Sequence, residues 1–509
     1  MGPFKLPKLG HDKSDEHEPS PSILLNLPNE ILDLIVAEFD EPDIISVGRL
    51  CRRLNQVAFG HHFFKPRPRP PNPPEYFLYD PTAFYIGAYR HTQWTFDTLD
   101  AVRMALFTKP KMHCINTRFS QAFPGEVQKV ANFFDTKPVL HSVFLELPYG
   151  PGPAGLTRNW KKKRDEVLPE DLVKHRKSTY RLLNSLTQIR GDPVHLGNEL
   201  MIDINQGVLL DDEATEPDFP PYDGPLLTTV TMITFTYSSF LFQTPFRQWT
   251  LDSLNACRLR RLVLEDVDIG PHLERLSLIH LEEVILRSRS VTQVQFNRFL
   301  SRHPTLLDVI IFRIASVDPH SAAAREAKAA IEYGALPKTR ELTMHGDYLN
   351  HWLNTPGTLA ALVSCRVEGS PAPTTLQDIL HSFSGRNTIH SVHLPLCAMS
   401  NTQDWSLFPK STRAEPKLKS ITRIDIGLPM GWTMTPDRLD GIVASVALFP
   451  EVKSVSVWPA TKHQEWGERF RTMLKANCPK LLWTIFDFEQ YACDALSGLA
   501  EDHSEGVLV

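Results

Sequence analysis

Residues 296–312 read FNRFLSRHPTLLDVIIF. Phe296, Phe299 and Leu300 stand three and four apart, the spacing of one helix face. Pro304 then removes a backbone donor and stops the helix. After it, Leu306, Val309 and Ile311 follow an L-x-x-L-x-L frame, and its last two apolar positions share one strand face. The same succession recurs at 126–147 (Leu140, Val143, Leu145), at 439–457 (Val452, Val455, Val457) and at 470–486 (Leu482, Ile485). Residues 376–394 repeat it without the proline, with Ile389, Val392 and Leu394. Further strands are expected at Leu227–Met232, Leu259–Leu264, Leu281–Leu286, Thr339–Met344 and Ile421–Ile426. Unit starts lie roughly 22–33 residues apart, with one wider gap around 345–388. A single unit leaves its apolar face bare, and stacking neighbours buries it. That predicts an α/β solenoid with a parallel sheet on its concave face and helices outside. An ordinary α/β domain with helices between parallel strands would show the same alternation.

Composition bounds the rest. The chain has 509 residues, too many for one compact core, so a few domains or a repeat array are expected. With 42% hydrophobic and 22% charged residues it is neither wholly disordered nor collagen-like. A net charge of -5 gives no reason to expect nucleic acid. Seven scattered cysteines without a C-x-x-C predict neither a disulfide framework nor a zinc knuckle. No apolar stretch predicts a secretory signal or a membrane span. A cytoplasmic and/or nuclear location is the expectation. The 41 prolines, about 8% of the chain, have two homes. One is punctuation between helix and strand, at Pro138, Pro304, Pro450 and Pro479. The other is a run of seven between Pro66 and Pro81, which reads as a polyproline II connector.

Organisation follows from these shifts. Residues 1–22 read as disordered, 23–64 as a small helical unit, 65–95 as the connector, 96–495 as the solenoid and 496–509 as a tail. Residues 148–166 and 211–224 read as exposed loops. The helical unit, LLNLPNEILDLIVAEFDEPDIISVGRLCRRLNQVAFGHHFF, covers 24–64. Its apolar residues recur at helical spacing, Ile31, Leu34 or Ile35, then Phe39. Pro28 suits a first turn, and Asp40-Glu41-Pro42-Asp43 breaks one helix and opens another. Gly48 interrupts a helical stretch.

The order Leu27-Pro28-x-Glu30-Ile31-Leu32, Asp43-Ile44-Ile45, then Leu50-Cys51-Arg52-Arg53-Leu54 resembles an F-box. It departs from that pattern where a tryptophan is common, with Leu54 and Phe63-Phe64 in its place. The resemblance implies binding to the Skp adaptor of a Skp–cullin–F-box ubiquitin ligase and, through it, to a cullin. By position, the adaptor contacts would be Leu27, Pro28, Ile31, Leu32, Ile35, Leu50, Cys51 and Leu54. A helical cap on the solenoid, packing those residues inward, is the alternative. F-box plus repeats is similar to the leucine-rich-repeat class of F-box proteins, of the divergent fungal kind. In that class the repeats hold a protein substrate and the protein itself is not an enzyme. A scaffold without a role in ubiquitin transfer is the other reading.

On a concave sheet, the residues alternating with the buried ones would face the cargo. These include Arg261, Glu265, Glu283, Arg287, Phe312, Glu341, His345, His393, Arg423, Asp425 and Trp458. Pro73-Pro74-Glu75-Tyr76 is similar to ligands of WW domains, which implies a WW-domain partner at Pro73, Pro74 and Tyr76. Gly150, Gly152 and Gly155 match a dinucleotide fingerprint in form only, because Pro151 and Pro153 lack the N–H groups a pyrophosphate needs. Lys161–Arg164 reads as a solvated loop or an import patch. His390 and His393 fall on opposite strand faces and cannot share a metal. No catalytic motif is present, and no cofactor or metal is expected.

Overall fold

The computed structural model describes residues 23–64, 85–88, 99, 103, 111–119, 122–137, 139–147, 169–191, 199–204, 222–315, 321–369, 371, 373–395, 418–428, 434–458, 464–486 and 489–492. The N-terminal segment 1–22, the Pro73–Tyr76 motif, residues 148–166, most of 211–224 and the tail 496–509 lie outside them.

Three helices open the described chain: α1 (Asn29–Ala37), α2 (Glu41–Gly48) and α3 (Arg52–Phe64). The Asp40 carboxylate caps α2 by accepting from the Asp43 N–H at 3.1 Å. Gly48 does not interrupt a helix, as the sequence suggested, but ends α2. The Asn55 amide of α3 donates to its carbonyl at 2.9 Å, which satisfies a helix end that would otherwise be bare. Leu32, Val36, Ile44, Leu54, Val57 and Ala58 form the core of this unit.

The remaining elements form one sheet with helices between its strands. In order they are β1 (Tyr85–Ala88), β2 (Lys111–Arg118), α4 (Phe123–Phe134), β3 (Val139–Leu147), α5 (Pro169–Leu186), β4 (Arg190–Gly191) and β5 (Glu199–Ile204). Then come β6 (Met232–Thr236), α6 (Arg247–Ala256), β7 (Arg261–Glu265), β8 (Glu283–Arg287), α7 (Gln293–Ser301) and β9 (Asp308–Arg313). They are followed by α8 (Ala322–Ala329), β10 (Glu341–His345), α9 (Gly346–Leu353), β11 (Ser364–Glu368), α10 (Pro373–Ser384) and β12 (Ser391–Pro395). The last are β13 (Arg423–Gly427), α11 (Pro436–Val446), β14 (Ser454–Trp458), α12 (Gln464–Asn477), β15 (Trp483–Phe486) and β16 (Glu489–Ala492).

Strand order in space follows strand order in sequence, with the two-residue β4 set aside against β3. Neighbours from β1 to β15 pair in parallel, and β16 alone runs antiparallel, against β15. This sequential parallel ladder is the arrangement of a leucine-rich-repeat-like solenoid. The chain is therefore α/β: a short helical N-terminal unit followed by such an array.

Two expectations need correction. Tyr85–Ala88, assigned to the connector, is a strand of the sheet and pairs with β2. The proline-free Phe84-Tyr85-Ile86 is good strand sequence, and the prolines end just before it at Pro81. The gap at 345–388 is also filled: β11 stands 23 residues after β10 and 27 before β12, an ordinary repeat spacing. Its inward residues are Cys365 and Val367, and a buried thiol serves there as a small apolar group.

Alternation is sharpest on β8, β10, β11 and β13. In β10, Leu342 and Met344 are 1% and 0% exposed while Glu341, Thr343 and His345 face the other way. The inward residues join the helix residues in one continuous apolar cluster from Leu99 to Leu481. Truncating any such leucine to alanine costs about 2–5 kcal/mol.

Polar staples tie repeat to repeat. The buried Asn297 amide of α7 donates to the Ala327 carbonyl at 2.8 Å and accepts from the Trp352 indole N–H at 3.0 Å. Arg386 donates to the carbonyls of Leu353, Thr358 and Leu359 in the preceding repeat. Arg302 does the same for Leu273 and Glu274. His303 accepts the Leu278 N–H on Nε2 at 3.0 Å, so its Nδ1 carries the proton given to the Phe299 carbonyl at 2.6 Å.

Candidate functional site

Two surfaces emerge. The first is the helical unit. With its core closed by Leu32 and its partners, α1 turns Ile31 and Leu34 outward at 41% and 65% exposure. Leu24 and Leu50 are exposed as well, at 37% and 70%. Pro28 at the start of α1 is exposed, and Leu27, Ile35 and Cys51 are half-buried. Leu32 and Leu54, expected among the adaptor contacts, lie inside at 1% and 3% exposure. On a helix, residues 32 and 36 share a face from which 31 and 34 are excluded. The sequence reading also left Leu24 and Leu34 out of the contacts, although L-P-x-E-I-L-x-L contains the second of them.

Arg53 positions the start of this surface. From α3 its guanidinium donates to the Leu27 carbonyl and to the Asn29 carboxamide oxygen, the latter at 3.0 and 3.1 Å. It holds the Leu27–Asn29 turn against the bundle.

The second surface is the sheet face opposite the helices. All the candidate cargo residues stand on its strands, and register sorts them into three rows. The lower row reads Glu199, Met232, Arg261, Glu283, Asp308, Glu341, Ser364, Ser391, Arg423, Ser454 and Trp483. The middle row includes Val263, Ile285, Ile310, Thr343, Arg366, His393, Asp425 and Ser456. The upper row includes Thr236, Glu265, Arg287, His345 and Glu368, and Trp458 at the far end beside Gly427. A register shift between Leu286 and Arg287 makes room for Phe312, which is 43% exposed.

Many of the charges are matched. Arg261 pairs with Glu283 at 3.2 Å, Arg287 with Asp266 at 3.4 Å and Arg423 with Asp425 at 3.3 Å. His345 faces the Asp347 carboxylate at 3.6 Å. Other groups are crowded. Burial raises the Glu283 pKa, Asp308 and Glu341 raise it further, and Arg261 opposes them. Burial and then Glu341 raise Asp308 against Arg340. Burial, with Arg366, lowers the His393 pKa, while Asp425 and Glu368 pull the other way. Among the described residues, no group of three or more His, Cys, Asp or Glu could hold a metal ion.

Sequence reasoning missed Asp308 and Arg366. Asp308 stands where Glu283 and Glu341 stand in their repeats, so the frame alone could have found it. Arg366 lay in the stretch where no strand was expected.

Residues 24–66 match the F-box domain family. Among solved structures, the chain is similar to the leucine-rich repeat-containing protein LegL7 from Legionella pneumophila at 11% identity and a TM-score of 0.35. That likeness covers 78% of this chain and 98% of that one. No curated protein matches the chain.

Proposed function

We propose that this chain, with an F-box domain at residues 24–66 ahead of its leucine-rich-repeat-like array, is the substrate-recognition subunit of a Skp–cullin–F-box ubiquitin ligase. The observation that carries this reading is the apolar surface of Leu24, Ile31, Leu34 and Leu50. It stays exposed although the unit's own core is complete, and such a patch marks a partner site. The adaptor would cover it and bring the cullin. The open sheet face would hold a protein substrate. Holding the two together converts encounter with a ubiquitin carrier into a nearly intramolecular event, while bond chemistry belongs to other subunits. A cytoplasmic and/or nuclear location goes with this reading.

The test is co-purification with the Skp adaptor, for the wild type and for Leu27→Ala with Pro28→Ala. The reading expects capture by the first and loss in the second, and no capture by the wild type sinks it. Capture of adaptor without cullin, or without ubiquitin transfer, would favour a leucine-rich-repeat scaffold instead.

A further inference from the structure

The open face is uneven along the array. Between β6 and β10 its middle row is apolar: Val263 on β7, Ile285 on β8 and Ile310 on β9. Phe312 stands beside Ile310 at 43% exposure, pushed out by the shifted register. From β10 onward the middle row is polar, through Thr343, Arg366, His393, Asp425 and Ser456. From β7 to β9 the middle row is therefore apolar, and from β10 to β14 it is polar.

Charge runs along one flank of that strip. Glu283, Asp308 and Glu341 stand in register on three adjacent strands. Strand spacing sets them about 4.8 Å apart. Burial, and after it the neighbouring carboxylates, raise the pKa of both Glu283 and Asp308. Arg261 is ion-paired to Glu283, at the end of the row. Arg340 beside Asp308 offsets only part of the charge. On the opposite flank stand Glu265 and Arg287, the latter paired with Asp266.

We infer that this lane receives an extended segment of the protein substrate in which lysine or arginine alternates with apolar residues. The inference rests on the open face being the cargo-holding surface proposed above. A segment lying across the strands presents alternate side chains to the two flanks. Its cations settle over Glu283, Asp308 and Glu341, and its apolar side chains pack against Ile310 and Phe312. Its backbone lies over the middle row. An acidic segment would meet three crowded carboxylates and be rejected. Charge thus selects the partner, and the apolar strip holds it.

The test uses the full chain and a short fluorescent peptide alternating lysine with leucine. Peptides with glutamate for lysine and with serine for leucine are the controls. Fluorescence anisotropy reads affinity. The lysine–leucine peptide should bind, weaken with added salt and exceed both controls. The triple variant Glu283→Gln, Asp308→Asn, Glu341→Gln should weaken it by about tenfold or more. Phe312→Ala should weaken it too, with little change in salt dependence. Glu451→Gln, away from the lane, should leave binding unchanged. Because Glu283→Gln also removes the partner of Arg261, the double variant Asp308→Asn, Glu341→Gln, which keeps that pair, is measured beside it and should weaken binding in the same direction. Equal binding of the lysine and glutamate peptides, or unchanged binding by the triple variant, overturns the lane. Adaptor capture measured on the same preparations separates the two ideas. If it persists while the lane fails, only the lane falls.

Discussion

Asn297 shows how one side chain can join three elements. Its carboxamide is fully buried, donates a hydrogen bond to the Ala327 carbonyl and accepts one from the Trp352 indole N–H. Asn297→Ala leaves both partners unsatisfied in an apolar setting, at an expected cost of about 2–4 kcal/mol. Urea unfolding should show the midpoint falling with the slope unchanged. Two histidines make a second case. His175 stacks on Phe123 with ring centroids 4.3 Å apart, and burial lowers its pKa from 6.5 to about 4. His303 is lowered too, chiefly by burial, although its bond to Phe299 opposes the shift. A lowered folded pKa means that the unfolded chain takes up the proton first. Stability is complete above pH 6.5 and falls as pH drops through the window down to about 4 for His175. The loss from His175 reaches up to about 3 kcal/mol. Melting temperature measured across that range should fall less steeply in His175→Phe, which keeps the ring and removes the titration. Neither network could be read from the chain. A polar residue on a helix looks alike whether it bonds the next repeat or water, and only the stacking decides.

The repeated helix-to-strand unit is the part most legible in the sequence, and its errors have a common cause. Strand candidates at Leu259–Leu264 and Leu281–Leu286 begin two residues early, since the strands run Arg261–Glu265 and Glu283–Arg287. The first leucine of each frame is buried but lies in the turn before the strand. Apolar pattern reports burial, and burial extends past the ladder. The candidate at Leu227–Met232 fails more fully, because the strand starts where it was expected to end. In the helical unit, Ile31, Leu32, Leu34 and Ile35 are all apolar, so periodicity alone could not tell core face from exposed face. Turns between elements carry devices that composition hides. Arg386 reaches three carbonyls of the preceding repeat while remaining half-buried. Arg386→Ala should cost about 2–3 kcal/mol in thermal or urea unfolding, and lysine should restore little, having no planar fork. Gly369 is a further device. It follows β11 with φ +78, and a β-carbon there would meet the His345 ring at 2.2 Å. Gly369→Ala therefore combines backbone strain with a clash and should lower the melting temperature clearly.

At the scale of the molecule, the helical unit and the array have separate cores. Surface changes in the first should leave the second intact. Leu34→Asp and Leu50→Asp should abolish adaptor capture while the melting temperature and far-UV circular dichroism stay as in the wild type. Parallel loss of stability would show those leucines to be structural instead. The array also has a terminus problem that its last strand addresses. A parallel ladder ends in a row of unpaired backbone groups, and the first strand of another copy, running the same way, would continue it. Copy could follow copy head to tail without any closing symmetry, which is how fibres grow. β16 folds back over β15 and reverses direction, so an incoming strand no longer finds a parallel edge there. Four residues, Glu489–Ala492, thus replace the parallel edge of β15 with an antiparallel one.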